Sequence, residues 1–311
     1  MALLFYSTWD DAERWTAAIK AELPDLDCRV WPDGTGDAKD IEYALVWRPK
    51  PGMLRAFPNL KAIFSLGAGV DHLLGDGMEL PDGVPVVRMV DPGLTAGMSE
   101  YVVYWTLHHH RKFGDYARQA AEKRWRPLPQ KAPRDCRVGI MGVGIMGSDA
   151  ARKLKALDFD VAGWGRTLKN LPGVPGFQGA EGLRDFLART DILVCLLPLT
   201  PDTRAILNAG TFARLPKGAV VINAARGGHL VDDDLLQALD SGQLSAAVLD
   251  VFHAEPLPAD HPFWTHPRID VTPHVASLTV PESAAKAVAA NIRRMRAGEP
   301  PEPIVDPARG Y

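Results

Sequence analysis

The 311-residue chain has little cysteine: Cys28, Cys136 and Cys195 are scattered, odd in number and without metal-ligand spacing. Such a set makes neither a disulfide framework nor a zinc site. Cys195 lies in an apolar run and reads as a small core residue. No apolar run is long enough to span a bilayer. Neither sign of charge dominates: 35 Lys and Arg stand against 38 Asp and Glu, for a net charge of −3 and a pI near 6.3. Nothing electrostatic therefore argues for nucleic acid or an anionic membrane. A basic leader is also missing. Met1-Ala2-Leu3-Leu4-Phe5-Tyr6 runs at once toward Asp10 and Asp11 and reads as a first buried strand, not a signal peptide. A reducing, cytoplasmic setting is expected.

What is present is ordinary for a globular protein, with 46% hydrophobic and 23% charged residues. The length predicts two domains. Leu3–Tyr6, Tyr43–Trp47, Ala62–Leu66 and Val84–Val87 read as strands between helical stretches, the alternation of a parallel sheet covered by helices. Ser99–Arg111 predicts a helix, and Phe113–Trp125 continues it or forms another. Pro127, Pro129 and Pro133 then break the chain. The rhythm repeats with strands at Arg137–Met141, Asp160–Trp164, Ile192–Leu197, Ala219–Asn223, Ala246–Asp250 and Ile269–Thr272. Helices are predicted over Ile145–Leu157, Gly182–Ala188, Asn208–Leu215, Asp232–Ser241 and Ala284–Arg296.

The most informative stretch is Val138 to Gly147, an apolar run opening into a glycine loop. Gly142, Gly144 and Gly147 stand between a strand signal and a helix signal, at the spacing of a dinucleotide-binding turn. Gly142 allows the tight turn, Gly144 lets backbone approach a pyrophosphate, and Gly147 lets helix and strand pack closely. The following helix offers its first-turn amides, Ile145 and Met146 among them, and its positive dipole end to phosphates. A turn that binds nothing is the duller alternative. Because the loop comes so late, the residues before it form a different domain, to which the last helix returns. The expected fold class is α/β, with two doubly wound parallel-sheet domains. A Rossmann domain at 99–277 is inserted in a discontinuous domain of 1–98 plus 278–311.

Three polar residues stand at the ends of the late strands, where ligands bind in open α/β sheets. Arg226 closes Val221-Ile222-Asn223-Ala224-Ala225-Arg226, Glu255 follows Leu249-Asp250-Val251-Phe252-His253-Ala254, and His274 closes Val271-Thr272-Pro273-His274. Singly, each has a plain explanation: a solvated Arg, a loop Glu, a hydrogen-bonded His. Together at successive strand ends they make a site hypothesis.

The glycine loop, Asn223-Ala224-Ala225-Arg226-Gly227, Asp250-Val251-Phe252 through Glu255-Pro256-Leu257-Pro258, and Thr272-Pro273-His274-Val275-Ala276 resemble the D-isomer-specific 2-hydroxyacid dehydrogenases. Within them the chain is similar to the glyoxylate/hydroxypyruvate reductase A group. Ala44-Leu45-Val46-Trp47, Ser65-Leu66-Gly67-Ala68-Gly69-Val70-Asp71 and the ending Val305-Asp306-Pro307-Ala308-Arg309-Gly310-Tyr311 support the likeness, which runs over essentially the whole length. It implies a flavodoxin-like substrate domain flanking the Rossmann domain. It also implies reduction of small 2-oxo acids, glyoxylate to glycolate and hydroxypyruvate to D-glycerate. With the long connecting helix, it suggests a homodimer.

The chemistry of that reaction suits the residues. Hydride goes to the carbonyl carbon and the oxygen must gain a proton. His274 is the expected general acid, since imidazole titrates near neutral pH, and Glu255 beside it favours the protonated ring. Arg226 clamps the carboxylate and polarises the carbonyl through charge-assisted hydrogen bonds of roughly 1.5–3 kcal/mol each. A glycine-containing turn after a strand, Gly67, Ala68 and Gly69, suits an anion with backbone amides; an ordinary surface turn is the alternative. Trp47 walls a small pocket or simply fills the core.

The cofactor follows from the second strand of the late domain. NAD-binding versions carry an acid about 20 residues beyond the loop, on the ribose hydroxyls. Here Gly165 takes that place, followed by Arg166 and Thr167 with Lys169 near. A carboxylate would repel a 2′-phosphate, whereas a guanidinium and a hydroxyl bind it. NADP(H) is expected, with a solvated Arg166 as the alternative. From the resemblance, Leu197, Pro198 and Thr203 lie beneath the adenosine and ribose, Ala224 and Asp250 near the nicotinamide, and Met98 at its ring.

His108, His109 and His110 point different ways on a helix and cannot converge on one metal; no metal site is expected. By family analogy Trp125 belongs to an arm reaching a partner subunit's pocket, while Trp264 sits at the pocket mouth or packs in the core. The enzymatic alternative is another dehydrogenase of the superfamily, such as a phosphoglycerate or formate type. Gly165 argues against the first and Glu255, where a Gln is usual, against the second. A nucleotide-sensing binding protein of the same fold is the rival of another class.

Overall fold

Short apolar runs alternating with amphipathic stretches build two parallel sheets. The structure, a computed structural model, describes residues 1–75, 77–167 and 170–306. The chain divides into one unit of Met1–Leu94 with Leu278–Tyr311 and another of Thr95–Ser277.

In the first unit β1 (Ala2–Tyr6), α1 (Ala12–Glu22), β2 (Asp27–Val30), β3 (Ile41–Val46), β4 (Ala62–Ser65), α2 (Asp71–Leu74) and β5 (Val86–Val87) follow one another. The strands lie in the order β2-β1-β3-β4-β5, every pair parallel, which is the flavodoxin-like winding. All residues of β1 and β4 are buried, as expected of strands covered on both faces. α1 starts at Asp11, whose carboxylate accepts the Glu13 and Arg14 amides at 3.0 and 3.1 Å. The last helix, Pro281–Arg296, packs on α1.

The second unit carries most of α3 (Pro92–His110), then α4 (Phe113–Ala121), β6 (Arg137–Met141), α5 (Ile145–Ala156), β7 (Asp160–Gly165), β8 (Gly176–Gln178), α6 (Gly179–Ala188) and β9 (Ile192–Cys195). After these come α7 (Ala209–Phe212), β10 (Ala219–Asn223), α8 (Asp232–Asp240), β11 (Leu244–Leu249) and β12 (Ile269–Val271). Strand order is β12-β11-β10-β9-β6-β7-β8, the Rossmann winding with one further strand, and the order reverses between β6 and β9. Alternate residues feed two cores. Leu193, Cys195 and Val221 join the layer of Phe186, Phe212 and Leu235, while Val194, Val220 and Ile222 join that of Met98, Val102 and Leu154. Cys195 is thus a core residue, and all three cysteines are unpaired.

The structure departs from the sequence reading at identifiable places. α3 starts at Pro92, earlier than the predicted Ser99, because Pro fits the first turn of a helix. The division between units therefore falls inside α3, after Leu94 rather than after Met98. β2 and β8 went unread: both are edge strands with polar, partly exposed residues and no apolar run.

One ion pair pins the strands flanking the reversal. Asp191, just before β9, accepts the Arg137 backbone amide at 3.0 Å and its guanidinium at 3.0 and 2.7 Å. Burial works to raise the Asp191 carboxyl, but the Arg137 bonds prevail and hold it below its ordinary range. A depressed carboxyl contributes stability above its unfolded range and loses it as pH falls through the folded value. Because Arg137 is 39% exposed, screening limits the pair to about 1 kcal/mol. Asp191→Asn should be less stable than the parent by about that amount at pH 7, and the difference should shrink as pH falls through the depressed range of the folded carboxyl, in denaturant titrations at neutral and strongly acidic pH.

Candidate active site

The glycine loop is built by contacts that exclude side chains. Gly142 has φ +95°, and a Cβ there would sit 2.6 Å from the Leu196 carbonyl oxygen. At Gly147 a Cβ would meet the Gly142 oxygen at 2.1 Å, so β6 and α5 approach as closely as backbone allows. Gly144 differs: a Cβ there would meet no protein atom within 4 Å. It caps α5 without a side chain, so the first-turn amides around Ile145 and Met146 gain no side-chain cap.

At the far end of the sheet His274 and Glu255 meet. Nδ1 of His274 donates to Glu255 Oε2 at 2.9 Å, and Glu255 Oε1 accepts the Phe252 amide at 3.1 Å. The carboxylate is nearly buried while the imidazole remains partly open. With Nδ1–H given to the carboxylate, Nε2 is the nitrogen left for an external group. His274 stands at φ +55°, a region costly for a residue with a Cβ. Its amide is held by Asp250 O at 2.8 Å. The buried Asp250 carboxylate accepts the Thr272 hydroxyl at 2.6 Å and the Val275 and Ala276 amides at 2.8 and 2.9 Å. Burial pushes this carboxyl upward against the pull of those bonds. Since Thr272 spends its one proton on Asp250, the Tyr101 hydroxyl, 2.7 Å away, is the donor to Thr272.

Arg226 lies in the adjoining loop. Its Nη1 donates to Ala225 O at 2.7 Å, which orients the guanidinium. Buried His229 organises the backbone: its Nε2 faces the Pro198 carbonyl at 3.3 Å, so Nδ1 accepts the Arg226 amide at 3.2 Å. Asn223 ties the same turn through Ala225 N and Arg226 O. Gly227 then brings this loop against the one leading to Glu255, because a Cβ there would sit 2.0 Å from the Phe252 carbonyl carbon. The structure thus joins His274 to Glu255 directly and the Arg226 segment to the Glu255 segment through backbone.

The expected cofactor residues are placed as follows. Arg166 and Thr167 are exposed directly after β7, and Thr167 lines a shallow cleft with Gly163, Gly165, Val174 and Phe177. Lys169 lies outside the described residues. Thr203 closes the turn after β9, its hydroxyl donating to Pro198 O at 2.7 Å and accepting the Thr200 amide at 2.9 Å; Leu197 is buried beside it. Met98 and Ala224 share one buried cluster. Trp125 is 98% exposed, and Trp264 donates to Pro258 O at 2.9 Å from a half-exposed position. Among the described residues no group of three or more His, Cys, Asp or Glu is arranged to hold a metal.

In the first unit, Gly67 is needed because Trp47 lies against it: a Cβ would come 2.7 Å from the indole. Trp47 in turn packs on His72, ring centres 4.2 Å apart. The buried Ser65 hydroxyl donates to the Gly67 carbonyl at 2.8 Å with the Gly69 carbonyl 3.2 Å away, and accepts the Gly67 amide at 3.3 Å. In a trans peptide the following amide points the opposite way, so the Ala68 and Val70 N–H groups face away from the Ser65 hydroxyl.

Ser65, Tyr101, Asn223, His229 and Thr272 were not among the sequence-predicted site residues. Tyr101 precedes Thr272 by 171 positions, and no local spacing links them. Ser65, Asn223 and Thr272 sit inside the stretches that carry the family resemblance, which was the available signal.

Residues 103–276 match the family described as D-isomer specific 2-hydroxyacid dehydrogenase, NAD binding domain. The chain is 45% identical over 315 residues to glyoxylate/hydroxypyruvate reductase A of Serratia proteamaculans (strain 568), covering 100% of both. Among solved structures it is similar to a D-isomer specific 2-hydroxyacid dehydrogenase from Xanthobacter autotrophicus Py2 in complex with NADPH and MES. There the TM-score is 0.95 and the identity 45%, over 100% of this chain and 99% of that one. It is also similar to an NADPH-dependent glyoxylate/hydroxypyruvate reductase from Sinorhizobium meliloti in complex with NADP and sulfate. In that case the TM-score is 0.93 and the identity 42%, with 100% coverage of both.

The two loop glycines make opposite predictions. Gly227→Ala sets a methyl into backbone that cannot yield and should destabilise by roughly 1–3 kcal/mol or more. Gly144→Ala should cost at most about 1 kcal/mol. Denaturation midpoints of the two variants check this ranking.

Proposed function

Because this chain belongs to the D-isomer specific 2-hydroxyacid dehydrogenase family, we propose that it is an NADPH-dependent reductase of small 2-oxo acids, taking glyoxylate to glycolate and hydroxypyruvate to D-glycerate. The observation that carries this reading is the His274–Glu255 pair at 2.9 Å, set at the strand ends of a nucleotide-binding sheet beside the Arg226 loop. Bound NADPH supplies the hydride for the carbonyl carbon. His274 Nε2 gives the proton that the carbonyl oxygen needs, a contribution of about 10²–10⁴-fold. The ring is left neutral with Nδ1–H still on Glu255, so the carboxylate stabilises the charged acid before transfer and orients the neutral ring after it. Arg226 grips the substrate carboxylate and polarises its carbonyl, its planar fork suited to both. The Gly67, Ala68 and Gly69 turn is a backbone cradle for a carboxylate, and Trp47 fixes its shape.

The residues present fit the cofactor. Gly142, Gly144, Ile145, Met146 and Gly147 would hold its phosphates, with space at Gly144 where no protein atom stands within 4 Å of a Cβ. Gly165, Arg166 and Thr167 end β7 without a carboxylate, which suits a 2′-phosphate. Leu197, Pro198 and Thr203 would lie along the adenosine and ribose, and Ala224, Asp250 and Met98 near the nicotinamide.

A homodimer working in the cytoplasm completes the reading. Exposed Tyr104, Phe113 and Trp125 gather on and just beyond α3 and α4, apolar area that a second copy would cover. The unpaired cysteines suit a reducing compartment. Among the described residues no helix is long and apolar enough to cross a membrane.

His274→Gln should lower kcat for glyoxylate reduction at least about 100-fold while NADPH affinity stays within about twofold. Unchanged turnover would remove His274 as the acid. Arg166→Ala should weaken NADPH about tenfold or more and leave NADH nearly untouched. Equal losses in parallel titrations would count against the 2′-phosphate contact.

A further inference from the structure

Glu255 sits on a segment anchored by two histidines that the proposed chemistry does not use. His253 Nε2 donates to Leu230 O at 3.0 Å and stands 3.4 Å from Asp232 Oδ1. His261 Nδ1 accepts the Phe263 amide at 3.3 Å, so its proton lies on Nε2, 3.6 Å from Asp232 Oδ2. One carboxylate therefore faces two imidazoles, and those imidazoles bracket Glu255 along the chain. Leu230 and Asp232 continue the segment that begins with Arg226. His253 and His261 belong to the segment that carries Glu255. Between them Gly227 already brings backbone to backbone at Phe252.

An acid opening a helix has a simpler use, since it complements the dipole, and Asp233 and Asp234 share that position. Asp232 departs from it in its surroundings. Its side chain is only 28% exposed and lies between two rings that hydrogen-bond elsewhere in fixed orientation. Burial pushes its carboxyl up, His253 and His261 pull it down, and Asp233 pushes it up again. The arrangement is a two-point clasp.

We propose that Asp232 and His253 are positioning residues that hold Glu255 against His274 by stitching the Arg226 and Glu255 segments together. The clasp touches neither substrate nor reacting atoms. It acts by keeping the Glu255 carboxylate at Nδ1, and it rests on the reading of His274 as the acid. An imidazole that loses its carboxylate partner gives up its proton at lower pH. The charged groups facing His274 are Glu255 and Asp250; those facing Asp232 are His253, His261 and Asp233.

The test is the pH profile of kcat for NADPH-driven glyoxylate reduction in the full chain, with melting curves for each variant. Asp232→Asn and His253→Ala should move the alkaline limb to lower pH. They should also lower kcat above pH 7 severalfold, with KM for NADPH unchanged. His253→Gln, whose amide N–H replaces the Nε2–H donor, should restore the limb. A merely structural role would lower Tm and scale the whole profile without moving it. His253 is 51% exposed, so its truncation leaves no buried cavity and it carries the test should Asp232→Asn be unstable. A parent enzyme with no alkaline limb overturns the acid assignment and this inference with it. A parent limb that stays in place in both folded variants overturns the positioning role alone.

Discussion

Backbone meets backbone where the loop after β10 crosses the loop after β11. At Gly227 even one carbon atom would overlap the Phe252 carbonyl. No side-chain repacking relieves such a contact, because the chain itself would have to move. The segment bearing the candidate guanidinium therefore lies against the segment bearing the candidate carboxylate. His229, reaching from that loop to the Pro198 carbonyl, extends the same rigidity to the turn after β9. A site assembled this way has little freedom to drift, which suits a reaction in which charge must be met where it develops.

The second constraint is electrostatic and local. His274 occupies a backbone region that a non-glycine residue enters only at a cost. Asp250 holds it there, its carbonyl taking the His274 amide and its carboxylate fixing the residues on either side. Asp250 satisfies the Val275 and Ala276 amides and the Thr272 hydroxyl together, and Tyr101 closes the chain of hydrogen bonds behind Thr272. The carboxyl remains buried because several donors share the cost of its desolvation. Asp250 was expected near the nicotinamide; its observed bonds shape the turn that carries the imidazole. The two roles are compatible, since one oxygen accepts two of the three donors and the other accepts one.

Much of the fold was legible because it rests on signals a few residues long. Val138-Gly139-Ile140-Met141 followed by spaced glycines specifies a buried strand, a turn with no room for a Cβ at Gly142 or Gly147, and a helix. β9 is an unbroken apolar run, and β6 and β10 carry a polar residue only at one end, as burial on both faces requires. β2 and β8 were not legible for the converse reason. An edge strand needs only one partner and tolerates exposed Asp27 and Gln178 and an Arg29 paired with Asp27 and Asp40. Lys169 and the final residues fall outside the described region.

The sequence by itself determined which residue types stand at the strand ends and the glycines each turn can bear, because backbone sterics and hydrophobic period act locally. It also determined that no acid follows β7. Only the tertiary structure decided which of these side chains meet. Glu255 reaches His274 across 19 residues, Asp191 grips Arg137 across 54, and Tyr101 supports Thr272 across 171. A hydrogen bond is sensitive to tenths of an ångström, and sequence separation carries no information at that scale until the sheet is wound.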